Sequence, residues 1–149
     1  MIRLSRYLSY LLISLFLIIS VRLNAQTQND LNTNNYKNYQ EQDRALNNTY
    51  AEILKIYKDD TLFIKKLKFS ERAWLKFRDS YMESIFPQRD KSYYGSVYPM
   101  CYYSELSTIT KERVEQLKQW LKGTEEGDSC AGSIKTKEEL QEIIKNKKL

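Results

Sequence analysis

The sequence predicts an all-α fold, a small antiparallel bundle of three main helices followed by a short C-terminal helix. Composition is the first observation, because 149 residues contain only four glycines and two prolines, too few for the many tight turns of a β-sandwich or barrel. Periodicity is the second, because large apolar side chains recur at steps of three and four, as on the buried face of a helix. The third is that the predicted connections are short, which implies antiparallel neighbours.

The N-terminus, residues 1–25, has the three parts of a secretory signal peptide. Arg3 and Arg6 precede an apolar run of about 15 residues, and Ala25 offers a small residue for cleavage. A retained anchor is the alternative, but a spanning helix needs about 20 apolar residues and Arg22 interrupts this run. We therefore expect a periplasmic or secreted protein that meets the membrane only through its leader before cleavage.

Removal of the leader changes the charge of the chain. The leader holds three arginines and no acidic residue, so cleavage lowers the formal net charge from +5 to +2. A nucleic-acid-binding protein carries a strongly basic face or stripe, and a charge of +2 over about 124 residues does not suggest one. No nucleic-acid partner is expected.

The first predicted elements are a flexible lead-in and a helix. Residues 26–40 are polar and rich in Asn and Gln, with too little apolar surface to offset chain entropy, so they are expected to be flexible. A helix begins near Glu41 or Asp43. Its apolar positions are Leu46, Tyr50, Ile53, Leu54 and Tyr57.

The second predicted helix runs from an N-cap at Asp60 or Thr61 to Phe86, just before Pro87. Its apolar stripe comprises Phe63, Leu67, Ser70, Trp74, Phe77 and Tyr81. Trp74 is in the middle of this stripe and is expected to be a core residue. The arginines, glutamate and aspartate set into the same stretch are costly to bury unless they pair.

The third helix is predicted from Pro99 to Lys122, after a loop over residues 87–96, and Gly123 is its C-terminal stop. Thr136 and Glu139 form a capping box for a short last helix. The expected organisation is a signal peptide over residues 1–25, a flexible lead-in over 26–40, a helical domain over 41–122, and a C-terminal loop with a short helix over 123–149.

The composition excludes several kinds of chemistry. The chain has no histidine, which removes imidazole general bases and His-ligated metals, and no metal site or cofactor is expected. Carboxylate-only catalysis remains open as an alternative, because Asp79 and Glu83 are one helical turn apart and glycoside hydrolysis uses two carboxylates. A solvated helix edge explains this pair equally well.

The two cysteines, Cys101 and Cys130, are expected to pair in an oxidising compartment. Geometry limits this expectation, because a helix that includes Cys101 climbs about 30 Å by Lys122. The eight residues from there to Cys130 return only about 26–29 Å when fully extended. A bridge therefore requires the third helix to begin later or to bend, and two separate thiols are the alternative.

Three local patterns occur in order along the chain. They are Asp43-x-x-Leu46-Asn47-x-x-Tyr50; the run from Leu67 through Arg72, Trp74 and Arg78 to Asp79; and Gly95-Ser96 followed by Thr110-x-x-Arg113-x-x-x-Leu117. Over about residues 40–121 they resemble the family of lysozyme inhibitor LprI-type N-terminal domains, which are small secreted bacterial helical domains. The chain departs from the family pattern in having Glu71 for a glutamine and Phe77 for a tyrosine. The family's usual cysteines are replaced by Met82 and Glu105, which fits the loss of one bridge.

The resemblance implies a non-enzymatic binding domain of the cell envelope, with lysozyme inhibition as its most concrete activity. The partner is then a lysozyme-type enzyme or another envelope protein. Typical lysozymes are basic, so a chain at +2 gains no long-range steering toward them, and only a local acidic or tyrosine surface could serve. A purely structural or assembly role is a further alternative.

Two sets of residues are candidates for specific roles. The arginines and aspartate of the signature, Arg72, Arg78, Asp79 and Arg113, are expected to form a charge network that ties the second helix to the first and third, because the guanidinium group pairs bidentately with carboxylates. The candidate partner-binding surface is the tyrosine loop, which comprises Tyr93, Tyr94, Gly95, Ser96 and Tyr98. Tyrosine offers a large contact area at little entropic cost; the alternative is that these rings roof one end of the bundle.

Overall fold

The computed structural model of the chain describes the backbone of residues 2–146 and the side chains of residues 27–146. The predicted signal peptide falls outside the range of described side chains. The helices are α1 (Ile2–Ile56), α2 (Thr61–Ile85), α3 (Tyr98–Leu117), α4 (Gln119–Lys122) and α5 (Lys137–Asn146), with one 3₁₀ turn at Lys91–Tyr94. No strand occurs in the described range, and the prediction of an all-α fold is confirmed.

The three long helices alternate in direction. Asn32 of α1 contacts Met100 of α3 at one end, and Tyr57 contacts Trp120 at the other, so α1 and α3 run parallel. Helix α2 runs antiparallel to both, because its first turns lie near Trp120 and its last turns near Tyr98. The arrangement is an up-down-up bundle, as the short connections predicted.

The expected flexible lead-in over residues 26–40 is wrong, because this segment is part of α1 and packs on α3. The ring of Tyr36 lies 4.8 Å from that of Tyr103. The Asn32 amide donates to the carbonyl oxygen of Ser96 at 3.1 Å, and its Oδ1 accepts from the backbone N–H of Met100 at 3.1 Å. Helix α3 has no side-chain cap from its own flanking residue, so Asn32 satisfies one of the N–H groups that a helix start leaves unpaired.

The predicted helix ends are largely confirmed. Asp60 Oδ1 accepts from the backbone N–H of Phe63 at 2.9 Å and caps α2. The capping box of α5 has both hydrogen bonds, Thr136 N–H to Glu139 at 2.8 Å and Glu139 N–H to Thr136 Oγ1 at 3.2 Å. Gly123 ends α4 with φ of 71°. The third predicted helix is interrupted, since α3 ends at Leu117 and a separate turn, α4, follows Lys118.

The core has two parts. The larger cluster comprises Leu46, Ile53, Ile56, Tyr57, Phe63, Leu67, Val114, Leu117 and Leu140. The smaller one comprises Met82, Leu106 and Ile109. All residues of both clusters, with the side chains packed on them, lie between Tyr39 and Ile143, so a chain that starts at residue 26 keeps every core contact. The predicted stripe of α2 fails at Phe77, whose ring is 57% exposed.

The expected disulfide is wrong, because Cys101 and Cys130 are both free and exposed. Cys101 is in the first turns of α3, and helix continues with one interruption to Lys122. The helical segment thus carries the chain about 30 Å from Cys101, and the following residues fold into local turns around Asp128 and Ala131 rather than returning along α3. Separately, no helix within residues 27–146 is long and apolar enough to cross a membrane.

Candidate functional site

The tyrosine end of the bundle is a continuous group of rings built from the 87–96 loop, the start of α3 and the end of α2. Its members are Phe86, Tyr93, Tyr94, Tyr98, Tyr102 and Tyr103. Phe86 lies at the centre and contacts the rings of Tyr94 at 5.5 Å and Tyr98 at 5.3 Å. Tyr93 meets Tyr94 edge to face at 5.2 Å. Such pairs stabilise the end of the bundle beyond their burial alone.

The structure brings the five predicted partner-binding residues together and gives them different exposures. Tyr93 is 74% exposed, whereas Tyr94 and Tyr98 are half-buried against Phe86. The Tyr94 hydroxyl accepts from the backbone N–H of Gln88 at 3.0 Å. Gly95 ends the 3₁₀ turn with φ of 73°, and the carbonyl of Ser96 is held by Asn32. Tyr93 therefore presents its ring outward, while its neighbours form the support.

Lys91 holds the loop in place. Its Nζ donates to the carbonyl oxygens of Phe86 at 2.9 Å and Gln88 at 2.7 Å. It also lies 5.6 Å from the ring centre of Tyr98, a distance at which a cation is attracted to an aromatic face. The Asp90 carboxyl caps the turn by accepting from the backbone N–H of Ser92. Hydrogen bonds from the side chain and the backbone of Ser92 lower the pKa of this carboxyl.

A groove of about 390 Å³ adjoins the tyrosine end. It is lined by Asp79, Met82, Glu83, Phe86, Lys91, Tyr98 and Tyr102. Two carboxylates thus face one ammonium group, and the amine of Lys91 is already engaged by carbonyl oxygens. Glu83 has no ion-pair partner among residues 27–146. The groove combines aromatic surface with one carboxylate, that of Glu83, which has no ion-pair partner in the described range.

The same groove contains the two carboxylates of the alternative enzymatic reading, Asp79 and Glu83. Both residues are exposed, and Asp79 also pairs with Arg78 at 2.8 Å. Carboxylates that act as general acids depend on a water-poor environment that raises their pKa. Exposed side chains on a helix surface do not provide that environment.

The predicted charge network takes a different form in the structure. Arg113 of α3 pairs with Glu71 of α2 through Nη2 at 2.9 Å, with only 12% and 11% of the two side chains exposed. Arg78 pairs with Asp79 of its own helix, and Arg72 is exposed. Of the four predicted residues, Arg113 alone forms an ion pair between α2 and another helix within residues 27–146, and a hydrogen bond from Tyr81 to Glu105 at 2.8 Å also joins α2 to α3.

Two guanidinium groups lie close to the indole ring of Trp74. Arg78 Cζ is 5.6 Å from the centre of the indole ring and Arg113 Cζ is 5.8 Å away. The ring is half-buried and packs against both core clusters. Its buried part thus packs inside the bundle, and its exposed part lines a surface groove together with Phe77 and Tyr81.

The residues of the first and third sequence patterns are mainly scaffold. Leu46, Thr110 and Leu117 are buried, and the hydroxyl of Thr110 donates to the carbonyl oxygen of Leu106 at 2.7 Å. Asn47 donates to Asp43 within α1. Tyr50 is half-buried beside the larger cluster, and Leu67 belongs to that cluster.

Sequence reasoning did not assign roles to Glu71 and Asn32. Glu71 follows Phe63 and Leu67 at steps of four, so its place on the buried face was a usable signal for a buried ion pair. Asn32 gave no such signal, because one asparagine in an Asn-rich segment is not distinguishable from its neighbours. Its capping role depends on the position of α3.

Comparison with known proteins gives one match. A family model described as "Lysozyme inhibitor LprI" matches residues 21–117, which is more than half of the chain. Searches of curated proteins and of solved structures found no match. The matched range begins within α1, includes all of α2 and α3, and takes in the tyrosine end and its groove.

Proposed function

The chain belongs to the lysozyme inhibitor LprI family, and from this premise we propose that it is an exported, non-enzymatic domain that binds and inhibits a lysozyme-type enzyme in the cell envelope. The working surface is the tyrosine end together with its groove. The helices over residues 27–122 support this surface, and the segment over residues 123–146 packs at the opposite end of the bundle.

The observation that carries this proposal is the position of an exposed tyrosine beside a groove that contains the carboxylate of Glu83, unpaired within residues 27–146. Tyr93 is the most exposed of the large hydrophobic side chains in the described range, at 74%. Through Tyr94 and Phe86 it is continuous with the groove that contains Asp79 and Glu83. Rigid aromatic side chains are common anchors of protein interfaces, and the unpaired carboxylate of Glu83 next to them suits a basic partner.

A local carboxylate, that of Glu83, can contact a basic partner although the whole chain carries no negative net charge. Long-range attraction to a basic enzyme is not expected at a net charge of +2 for the chain without its leader. Contact at short range needs only a local match of charge and shape. We therefore expect slow association with a rate that depends little on salt, and a lifetime of the complex that depends on Tyr93 and on the carboxylate of Glu83.

The test uses the chain from residue 26 to 149, which keeps both core clusters, in a cell-wall lysis assay with a basic lysozyme. Inhibition is expected at stoichiometric protein. Tyr93→Ala and Glu83→Gln are each expected to weaken inhibition at least tenfold, since truncation of an interface anchor costs about 2 kcal/mol or more.

Phe77→Ala is the matched control, because Phe77 is also a strongly exposed aromatic residue, at 57%, but is not part of the tyrosine end. It is expected to inhibit like the parent protein. Absence of inhibition at tenfold excess would contradict the proposed function. Equal losses for Phe77→Ala and Tyr93→Ala would contradict the proposed surface.

A further inference from the structure

The N-terminal half of α2 carries a second surface, the basic face, which the proposed function does not use. Its residues are Leu62, Lys65, Lys66, Lys68, Phe69, Arg72 and Lys76, and all of them are exposed. Leu62 is 67% and Phe69 is 69% exposed. A basic surface repels a basic enzyme, so this face has the wrong charge for the partner of the tyrosine end.

The seven residues share one side of the helix. At about 100° per residue they fall within about 160° of the circumference, and at 1.5 Å per residue they extend over about 21 Å. The buried residues Phe63, Leu67 and Glu71 are on the opposite side. Leu62 and Phe69 lie two turns apart near the middle of the basic face, with cations on both sides of them.

The positive charge of the basic face is not compensated within the fold. None of its five cations has an ion-pair partner among residues 27–146. Glu71 is the only acidic residue between Thr61 and Arg78, and it is turned inward and paired with Arg113. The face therefore presents five positive charges around two exposed apolar side chains.

We propose that the basic face binds the surface of an anionic lipid bilayer. The four lysines and Arg72 contact lipid phosphates, and the side chains of Leu62 and Phe69 enter the interfacial region. Helices that bind at a membrane surface combine cations with Leu or Phe in this way. Each basic side chain near an anionic bilayer adds to the attraction.

The two apolar side chains favour a bilayer over a soluble polyanion. A polyphosphate or a nucleic acid would pair with the lysines but leave Leu62 and Phe69 in water. A bilayer accommodates both parts, because burial of exposed apolar area is favourable by about 25 cal/mol per Å². The bound protein would lie with the first turns of α2 on the membrane.

The basic face and the tyrosine end occupy different parts of the chain. Phe86 follows the last residue of α2 and is seventeen residues after Phe69. This separation corresponds to about 25 Å along the helix axis. Tyr93 therefore lies beyond the C-terminal end of α2, whereas the basic face ends at Lys76 within the helix. Membrane binding and enzyme inhibition use separate residues and can fail separately.

The experiment measures cosedimentation of residues 26–149 with lipid vesicles at low salt. Vesicles of phosphatidylcholine and phosphatidylglycerol in a 3:1 ratio are compared with vesicles of phosphatidylcholine alone. We expect binding to the anionic vesicles and none to the neutral ones. The triple variant Lys65→Gln/Lys66→Gln/Lys76→Gln is expected to bind at least tenfold more weakly.

The matched control is Lys37→Gln/Lys111→Gln/Lys145→Gln, which removes the same charge from exposed positions elsewhere. It is expected to bind within about twofold of the parent. Phe69→Ala, which changes no charge, is expected to weaken binding about fivefold, since it removes apolar area from the interface.

Three results would overturn the proposal. The first is failure of the parent to bind anionic vesicles. The second is an equal loss in the two triple variants, which would indicate a response to net charge alone. The third is tight binding of soluble polyphosphate together with full vesicle binding by Phe69→Ala, which would assign the face to a soluble polyanion. The circular dichroism spectrum of each variant shows whether its fold is intact.

Discussion

Arg113 on α3 donates two hydrogen bonds, from Nε at 3.0 Å and from Nη2 at 2.9 Å, to a single carboxylate oxygen of Glu71 on α2. Both side chains are close to nine-tenths buried. The Nη1 group of the same guanidinium donates to Gln116 at 3.1 Å. This ion pair is the charged tie between the two helices, and its two members come from positions 42 residues apart.

Removal of the Glu71 carboxylate is expected to destabilise the bundle. Glu71→Leu leaves the Arg113 guanidinium buried without its counter-charge and should lower the free energy of unfolding by about 3 kcal/mol. Glu71→Gln keeps an acceptor oxygen and should cost about 1 kcal/mol. Urea denaturation measures both. The control is Glu115→Gln, which breaks an exposed pair with Lys118 and should change stability only slightly, as is usual for exposed ion pairs; a loss for Glu71→Leu no larger than this would contradict the buried tie.

Replacement of Gly123 is expected to disturb the docking of α5. Gly123 has φ of +71°, and a Cβ at this position would lie 2.9 Å from Leu140 Cδ1 and 3.1 Å from the Lys135 carbonyl oxygen. Gly123→Ala should therefore lower the free energy of unfolding by about 2–3 kcal/mol, from backbone strain and from the close contact.

Gly127 provides the matched control for that substitution. It also has positive φ, +84°, but a Cβ there would meet nothing within 4 Å. Gly127→Ala should lower the free energy of unfolding by about 1 kcal/mol, from backbone strain alone. Thermal denaturation of the two variants separates strain from contact, and equal shifts in Tm would indicate that the contact with α5 does not matter.

The hydroxyl of Tyr57 joins α1 to the C-terminal segment. It donates to the carbonyl oxygen of Trp120 at 2.9 Å and accepts from the backbone N–H of Lys135 at 3.1 Å. Tyr57→Phe leaves both backbone groups without this partner and should lower the free energy of unfolding by about 1–2 kcal/mol. A chemical denaturation curve at pH 7 tests this expectation.

The same residue predicts how stability changes at high pH. Burial raises the pKa of Tyr57 above its ordinary value of 10.0, and the hydrogen bond from Lys135 offsets part of that rise. Tyr57 therefore ionises at a lower pH in the unfolded chain than in the folded protein. The stability that neutral Tyr57 contributes is complete below pH 10 and is lost as the pH rises through the pKa of Tyr57 in the folded protein. Burial raises the pKa of Tyr102 and Tyr39 as well.

We expect the urea midpoint to fall as the pH is raised from 9 to 11, and to fall less in Tyr57→Phe than in the parent. Circular dichroism in urea at each pH measures the two slopes. Identical slopes would show that Tyr57 is not linked to alkaline unfolding.

The two cysteines are expected to react as separate thiols. Both Cys101 and Cys130 are free and exposed, so the native protein should bind two equivalents of an alkylating reagent without a reducing agent. Mass spectrometry of the intact chain measures this. Cys101→Ser and Cys130→Ser should each change Tm by little, because no bridge is broken. A chain that takes up no reagent until it is reduced would contradict the structure.

Much of the candidate site could be predicted from the sequence because it is local. The tyrosines from Tyr93 to Tyr98 are close together along the chain, so any fold keeps them near each other. The groove was harder to predict from the sequence, because it joins residues of two helices. Asp79 and Glu83 lie near the end of α2, whereas Tyr98 and Tyr102 belong to α3. Its lining depends on how the two helices are aligned.

The sequence by itself determined the helical class and most helix ends, since a cap is made by residues within a few positions of each other. Asp60 with Phe63, and Thr136 with Glu139, illustrate this. Only the tertiary structure decided that Asn32 caps α3 across 68 positions, which makes the expected lead-in helical. The physical reason is that the contacts within an isolated polar segment stabilise it too little to offset its chain entropy. Packing against α3 supplies the additional stabilisation.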